Sequence, residues 1–161
     1  MSMTTRLFMV FLSVIGGLMV GLFLSNKTKN REKYFSDLLN LTDRLISDIS
    51  YLQDPSAKII SSFDTKSIHF KKNIYEYLEF TNGADFKFSN TVLTKREAEI
   101  VKDFFIRLGT LDYETQINEL NSKRMLFNQM LEAAVKRNKS YGRAYIKLGV
   151  LGGLLIGIML L

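Results

Sequence analysis

KLGVLGGLLIGIMLL, residues 147–161, and LFMVFLSVIGGLMVGLFLS, residues 7–25, together decide the fold. The earlier stretch holds no charge and, as its polar content, only two serines. At the α-helical rise it makes about 28 Å of helix, close to the hydrocarbon thickness of a bilayer. Residues 148–161 hold no polar side chain but extend only about 21 Å as a helix. A second span therefore starts further back, near Ala144, where Tyr145 can lie at the interface and Lys147 can carry its ammonium out to the headgroups. The competing interpretation of the first stretch is a cleaved signal peptide. Its apolar run is longer than a typical signal core, and the LSNKTKN at 24–30 offers no small-x-small cleavage site, so a retained anchor is expected.

The basic residues give the orientation. Lys27, Lys29, Arg31 and Lys33, against the single acid Glu32, follow the first stretch, and Lys136, Arg137, Lys139, Arg143 and Lys147 precede or open the second. These two clusters exceed the net +6 of the whole chain, so residues 34–135 between them are net negative. Positive flanks stay cytoplasmic. The central region is thus expected in the cytoplasm, with both termini on the other side of a two-pass cell-membrane protein. The clusters lie where anionic headgroups would meet them and lack the interleaved aromatics of a strand-binding groove, which argues against nucleic acid. The chain has no cysteine, which removes disulfides, thiolate chemistry and lipoprotein attachment.

Between the apolar ends the periodicity is helical. Phe35, Leu38, Leu41, Leu45, Ile49 and Leu52 recur at steps of three and four, so the first anchor is expected to run on as one helix until Pro55 stops it. A short helix is predicted at 56–62 and another over 66–80, with Ile68, Ile74, Tyr77 and Leu78 buried and Asn82-Gly83 as its left-handed cap. ADFKFSNTVL, 84–93, is predicted to be a loop with at most one helical turn. Thr94 and Glu97 form a capping box that opens a helix carrying Ile100, Val101, Phe104, Phe105 and Leu108 inward and ending at Gly109. Tyr113, Leu120, Phe127, Ala134, Tyr141 and Leu148 then repeat every seven residues, which predicts one long helix packed along the helix that leaves the first span. The expected fold is all-α: an N-terminal transmembrane anchor (1–25), a cytoplasmic helical bundle on a two-helix stalk (26–143) and a C-terminal transmembrane helix (144–161).

Catalytic patterns are not found. His69 is the only histidine, and HExxH, GxSxG and GxxxxGK[ST] are missing, so neither enzymatic chemistry nor a metal or other cofactor is expected. Glu97, Glu99 and Asp103 read as the solvated face of an amphipathic helix. The glycines carry more. Gly149, Gly153 and Gly157 share one helix face, and Gly17 with Gly21 repeats the spacing in the first span, the pattern that brings membrane helices into backbone contact.

Three blocks of residues also follow a known order: Asp48-Ile-Ser-Tyr51-x-x-x-Pro55; Glu97-x-Glu-Ile-x-x-x-Phe104-x-x-x-Leu108-Gly109-x-x-Asp112-x-x-x-Gln116; and Tyr141 followed by Leu148-Gly-Val-Leu-x-Gly-Leu-Leu. In this spacing the chain resembles the stage III sporulation protein AB family from about residue 31 onward, departing from its pattern at Ile46 and Ser56. The resemblance implies an endospore-former's mother-cell membrane protein, lying in the outer forespore membrane. It also implies a cytoplasmic domain similar to the F-type platform domains of type II secretion. The implied partners are a sporulation ATPase, ring-forming and other subunits of the mother cell-to-forespore channel, and the lipid bilayer. The different expectation open to the same chain is a standalone membrane-anchored coiled-coil scaffold or sensor. Asp112 is placed to cap the long helix, and Gln116, one turn on, to meet its carboxylate.

Overall fold

The computed structural model describes residues 3–52 and 55–159, with side chains for 8–51 and 55–159. Among these the chain forms α1 (Met3–Leu52), α2 (Ser56–Ser61), α3 (Ile68–Thr81), α4 (Lys95–Arg107) and α5 (Tyr113–Met159), and no strand. It is all-α, as the periodicity predicts. Internal contacts divide it into two units, Met1–Lys29 with Ala134–Leu161, and Asn30–Ala133. α1 and α5 each run unbroken from one unit into the other.

In the 30–133 unit, α1 buries the predicted stripe of Phe35, Leu38, Leu41, Leu45 and Ile49, and Tyr34 with it. The side chain of Leu52 lies outside the described residues. α3 starts later than predicted, because the Ser67 hydroxyl accepts from the Phe70 N–H at 3.3 Å and fixes Ile68 as the first helical residue. At roughly 100° per residue the inward stripe then becomes Phe70, Asn73, Ile74 and Tyr77, with Ile68 on the opposite side. Ile68 is accordingly 84% exposed, which corrects its place in the predicted core, while Phe70 is fully buried and Leu78 only half-buried. Phe105 of α4 stands at the aromatic centre, with ring centroids of Phe104, Tyr77, Phe70 and Phe86 between 5.4 and 6.4 Å away. Each such ring removed from water contributes about 1.5–3 kcal/mol.

The 84–93 stretch has neither a helical turn nor a strand; side-chain amides and a carboxylate hold it. Asn73 of α3 accepts from Tyr34 Oη and from Asn90 Nδ2, each at 2.9 Å, and donates to Ser89 O at 3.2 Å. Asn90 Oδ1 in turn accepts from the Val92 and Leu93 N–H groups, and Glu76 accepts from Ser89. A buried amide donating and accepting at once ties a loop down without regular structure.

Candidate functional site

In the unit formed by the two chain ends, small residues decide the packing. A Cβ added at Gly17 would collide with Gly149 O, and one at Gly149 with Gly17 O. At Gly21 it would lie 2.6 Å from Tyr145 O, at Gly153 2.6 Å from Ser13 O, and at Gly157 2.9 Å from Ser13 Oγ and Val10 Cγ1. The partner of the glycine face of α5 is therefore α1 of the same chain, and the obstructing atoms are mostly backbone. Gly16 and Gly152 would meet nothing within 4 Å, so the contact belongs to one face and not to glycine in general. Ser13 Oγ reinforces it by donating to Gly153 O at 3.0 Å, and Thr28 Oγ1 donates to Asn138 Oδ1 at 3.2 Å. Sequence reasoning missed Ser13 and Ser25, which complete a small residue at every fourth position with Gly17 and Gly21, and Gly142 on the facing helix.

The seven-residue register of α5 does not continue into this unit. Leu120, Phe127 and Ala134 are buried, but Tyr141 and Leu148 beyond them are 53% and 63% exposed; Tyr113, at the start of α5 in the other unit, is 50% exposed as well. Beyond Ala134 the packed face passes to Gly142, Gly149, Gly153 and Gly157, because close backbone approach uses small residues and turns the large apolar ones outward. What remains outward is apolar: Phe8, Phe11, Met19 and Phe23 on α1 and Leu155 and Ile158 on α5 are all more than 60% exposed. α1 and α5 are each long and apolar enough to cross a membrane. Their best 18-residue windows have mean hydropathies of 2.3 and 1.4, and only 11% and 17% of them is buried within the chain.

In the 30–133 unit, part of the predicted motif set comes together. Pro55, Leu108, Gly109 and Gln116 line one cleft of about 380 Å³ with Ile49, Tyr77 and Tyr113. Gly109 turns the chain there with φ +77°, and its N–H donates to Gln116 Oε1 at 3.1 Å. Gln116 thus fastens the α4–α5 corner; its amide does not meet the Asp112 carboxylate, which accepts from the Thr115 N–H at 3.0 Å as a helix cap. That backbone donor holds the Asp112 carboxyl below its ordinary value. A lowered value stabilises the fold above the ordinary 3.8 and loses the effect as pH falls through the folded-state value. Asp112→Ala is expected to lower the melting temperature of the full chain in detergent at neutral pH, with the gap to wild type closing on acidification. A gap that persists in acid would show that the carboxylate is not the cap.

The remaining motif residues lie apart from the cleft. Asp48 pairs with Arg44 at 3.2 Å, and Arg44 also donates to Ser62. Tyr51 is 85% exposed, while Phe104 is core, edge-on to Phe127 at 5.1 Å. Glu97 is not on a solvated face. It closes the capping box with Thr94, accepting from the Thr94 N–H at 2.9 Å, and pairs with Arg31 of α1, their side chains 11% and 16% exposed. Arg31 is thereby withdrawn from the headgroup set, its guanidinium over the Phe35 ring. Lys27, Lys29, Lys33, Lys136, Arg137, Lys139, Arg143 and Lys147 are all exposed. Among the described residues no three His, Asp or Glu side chains gather as a metal site would require.

No curated protein and no solved structure matches the chain. The family model described as stage III sporulation protein AB matches residues 6–161. That match takes in both apolar helices, the glycine face between them and the cleft at the α4–α5 corner, and the chain belongs to the stage III sporulation protein AB family.

Proposed function

We propose that this sporulation protein is a two-pass membrane platform subunit of the mother cell-to-forespore channel, coupling a cytoplasmic ATPase to membrane channel components without chemistry of its own. The observation that carries the proposal is the backbone contact of α1 with α5 in a family tied to sporulation. Two apolar helices joined this closely behave as one anchor. Residues of both helices also belong to the 30–133 unit, so the anchor and that unit share α1 and α5. The positive flanks on either side of residues 34–135 support a cytoplasmic orientation of that unit; in this reading the cytoplasm is the mother cell's, the anchors lie in the outer forespore membrane and the termini across it. The cleft at Gly109 and Gln116 is the surface offered to the ATPase.

Capture from sporulating cells with the ATPase as bait tests the coupling. The full chain is expected in the eluate together with other channel subunits, and with less of it when Tyr113→Arg fills the mouth of the cleft. An eluate that holds the other subunits but never this chain would leave a standalone scaffold or sensor as the better account. Orientation has its own check: a phosphatase active only outside the cytoplasm, inserted at the exposed Gly83 turn, is expected to be silent. Strong activity from that insertion reverses the topology.

A further inference from the structure

Where α1 and α5 leave their apolar stretches, a groove of about 510 Å³ opens between them, lined by Ser25, Lys29, Asn138, Lys139, Gly142, Arg143 and Ile146. All of these belong to the unit of the two chain ends. We propose that this groove is a binding site for the phosphodiester headgroup of an anionic glycerophospholipid, held by Lys29, Lys139 and Arg143. The site goes beyond diffuse attraction of a basic flank to a charged surface, and it rests on the membrane-spanning reading of α1 and α5.

Charge is the first ground. Residues 1–29 and 134–161 contain no aspartate or glutamate at all, so the lining of the groove carries cations and no carboxylate. Lys139 and Arg143 are four apart on α5 and so project from one face, and Lys29 meets them from α1. An arginine fork with two ammonium groups suits the oxygens of a phosphodiester. Shape is the second ground. A Cβ at residue 142 would lie 2.7 Å from Asn138 Oδ1 and 3.8 Å from Ser25 Oγ, so glycine is what leaves the floor open. Depth is the third. Ile146 and the exposed Leu22 and Phe23 lie toward the apolar side and the cations toward the polar side, so a ligand seated here has its charge at headgroup level and hydrocarbon beside it. A free phosphate would use only the upper half of such a groove. Basic pockets between membrane helices on the cytoplasmic side are where anionic headgroups bind specifically.

Native mass spectrometry of the full chain in neutral detergent tests this, with phosphatidylglycerol, phosphatidylcholine and inorganic phosphate titrated separately. One phosphatidylglycerol is expected to bind in preference to phosphatidylcholine, and inorganic phosphate should not displace it. Lys139→Gln with Arg143→Gln is expected to weaken that binding about 25-fold, at about fivefold for each cation removed. Lys136→Gln with Lys147→Gln makes the same charge change outside the groove and should leave it nearly unchanged. Gly142→Leu fills the floor with every cation retained, and at wild-type helix content by circular dichroism it should also lose the lipid. Equal losses in the two double variants, no preference for phosphatidylglycerol, or displacement by inorganic phosphate each overturns the proposal. Alkaline extraction separates it from its premise: a chain that resists extraction yet binds no lipid selectively keeps its spans and loses only the groove.

Discussion

Replacing Gly153 with leucine is expected to separate α1 from α5 and to stop spore formation while the chain still inserts into the membrane. The side chain would begin 2.6 Å from Ser13 O and 2.9 Å from the Val14 Cα, and backbone atoms cannot swing aside as a flexible side chain would. The helices must move apart, which removes the contacts along the whole face and the Ser13 hydrogen bond to Gly153 O. Overpacking of this kind costs about 1–3 kcal/mol locally, and here the displacement is shared by Gly17, Gly149 and Gly157. Gly152→Leu is the control. It lies one residue away on the same helix, meets nothing within 4 Å, and should melt and sporulate like wild type. Thermal unfolding in detergent together with spore counts decides the matter. A Gly153→Leu strain that sporulates normally would make the glycines incidental.

Glu97→Ala should produce a large loss of stability in the 30–133 unit. One carboxylate accepts from the Thr94 N–H, completing the α4 capping box, and balances the nearly buried Arg31 of α1. Removing it leaves a guanidinium out of water without its counter-charge, for which about 3–5 kcal/mol is typical. Loss of the cap interaction adds to that. Glu97→Gln keeps one acceptor oxygen where the carboxylate offers two, so one of the two donors loses its partner, and it should fall between wild type and alanine. Replacing both partners, Arg31→Met with Glu97→Leu, should be milder than Glu97→Ala alone, because no charge is then stranded. Chemical denaturation of these proteins, together with the single variants Arg31→Met and Glu97→Leu, measures this coupling directly. Additive losses would mean that the pair contributes nothing as a pair.

What could be read from the sequence depended on which kind of residue carried the information. Large apolar residues at helical spacing, from Phe35 to Ile49 and from Val101 to Leu108, announced their buried faces, and Thr94 with Glu97 announced a helix start. Ile68 misled because a hydrophobic residue beside a cap was counted into the stripe before Ser67 had fixed the phase of the helix. The heptad of α5 misled for a related reason. Its large residues Tyr141 and Leu148 kept the count of seven, while the packed face beyond Ala134 is made of glycines that a search for bulky side chains passes over. Arg31, Glu97 and the Asn73–Asn90 pair join positions far apart in the chain, and no local pattern marks them.

The central claim is that this chain holds an ATPase at the membrane, and the distribution of that ATPase between membrane and soluble fractions of sporulating cells measures it most directly. With the wild-type chain the ATPase should sediment with the membranes. In a strain lacking the chain, or carrying one truncated before Ala144, it should move to the soluble fraction while the other channel subunits stay membrane-bound. An ATPase that remains on the membrane in equal amount without the chain would contradict the platform role.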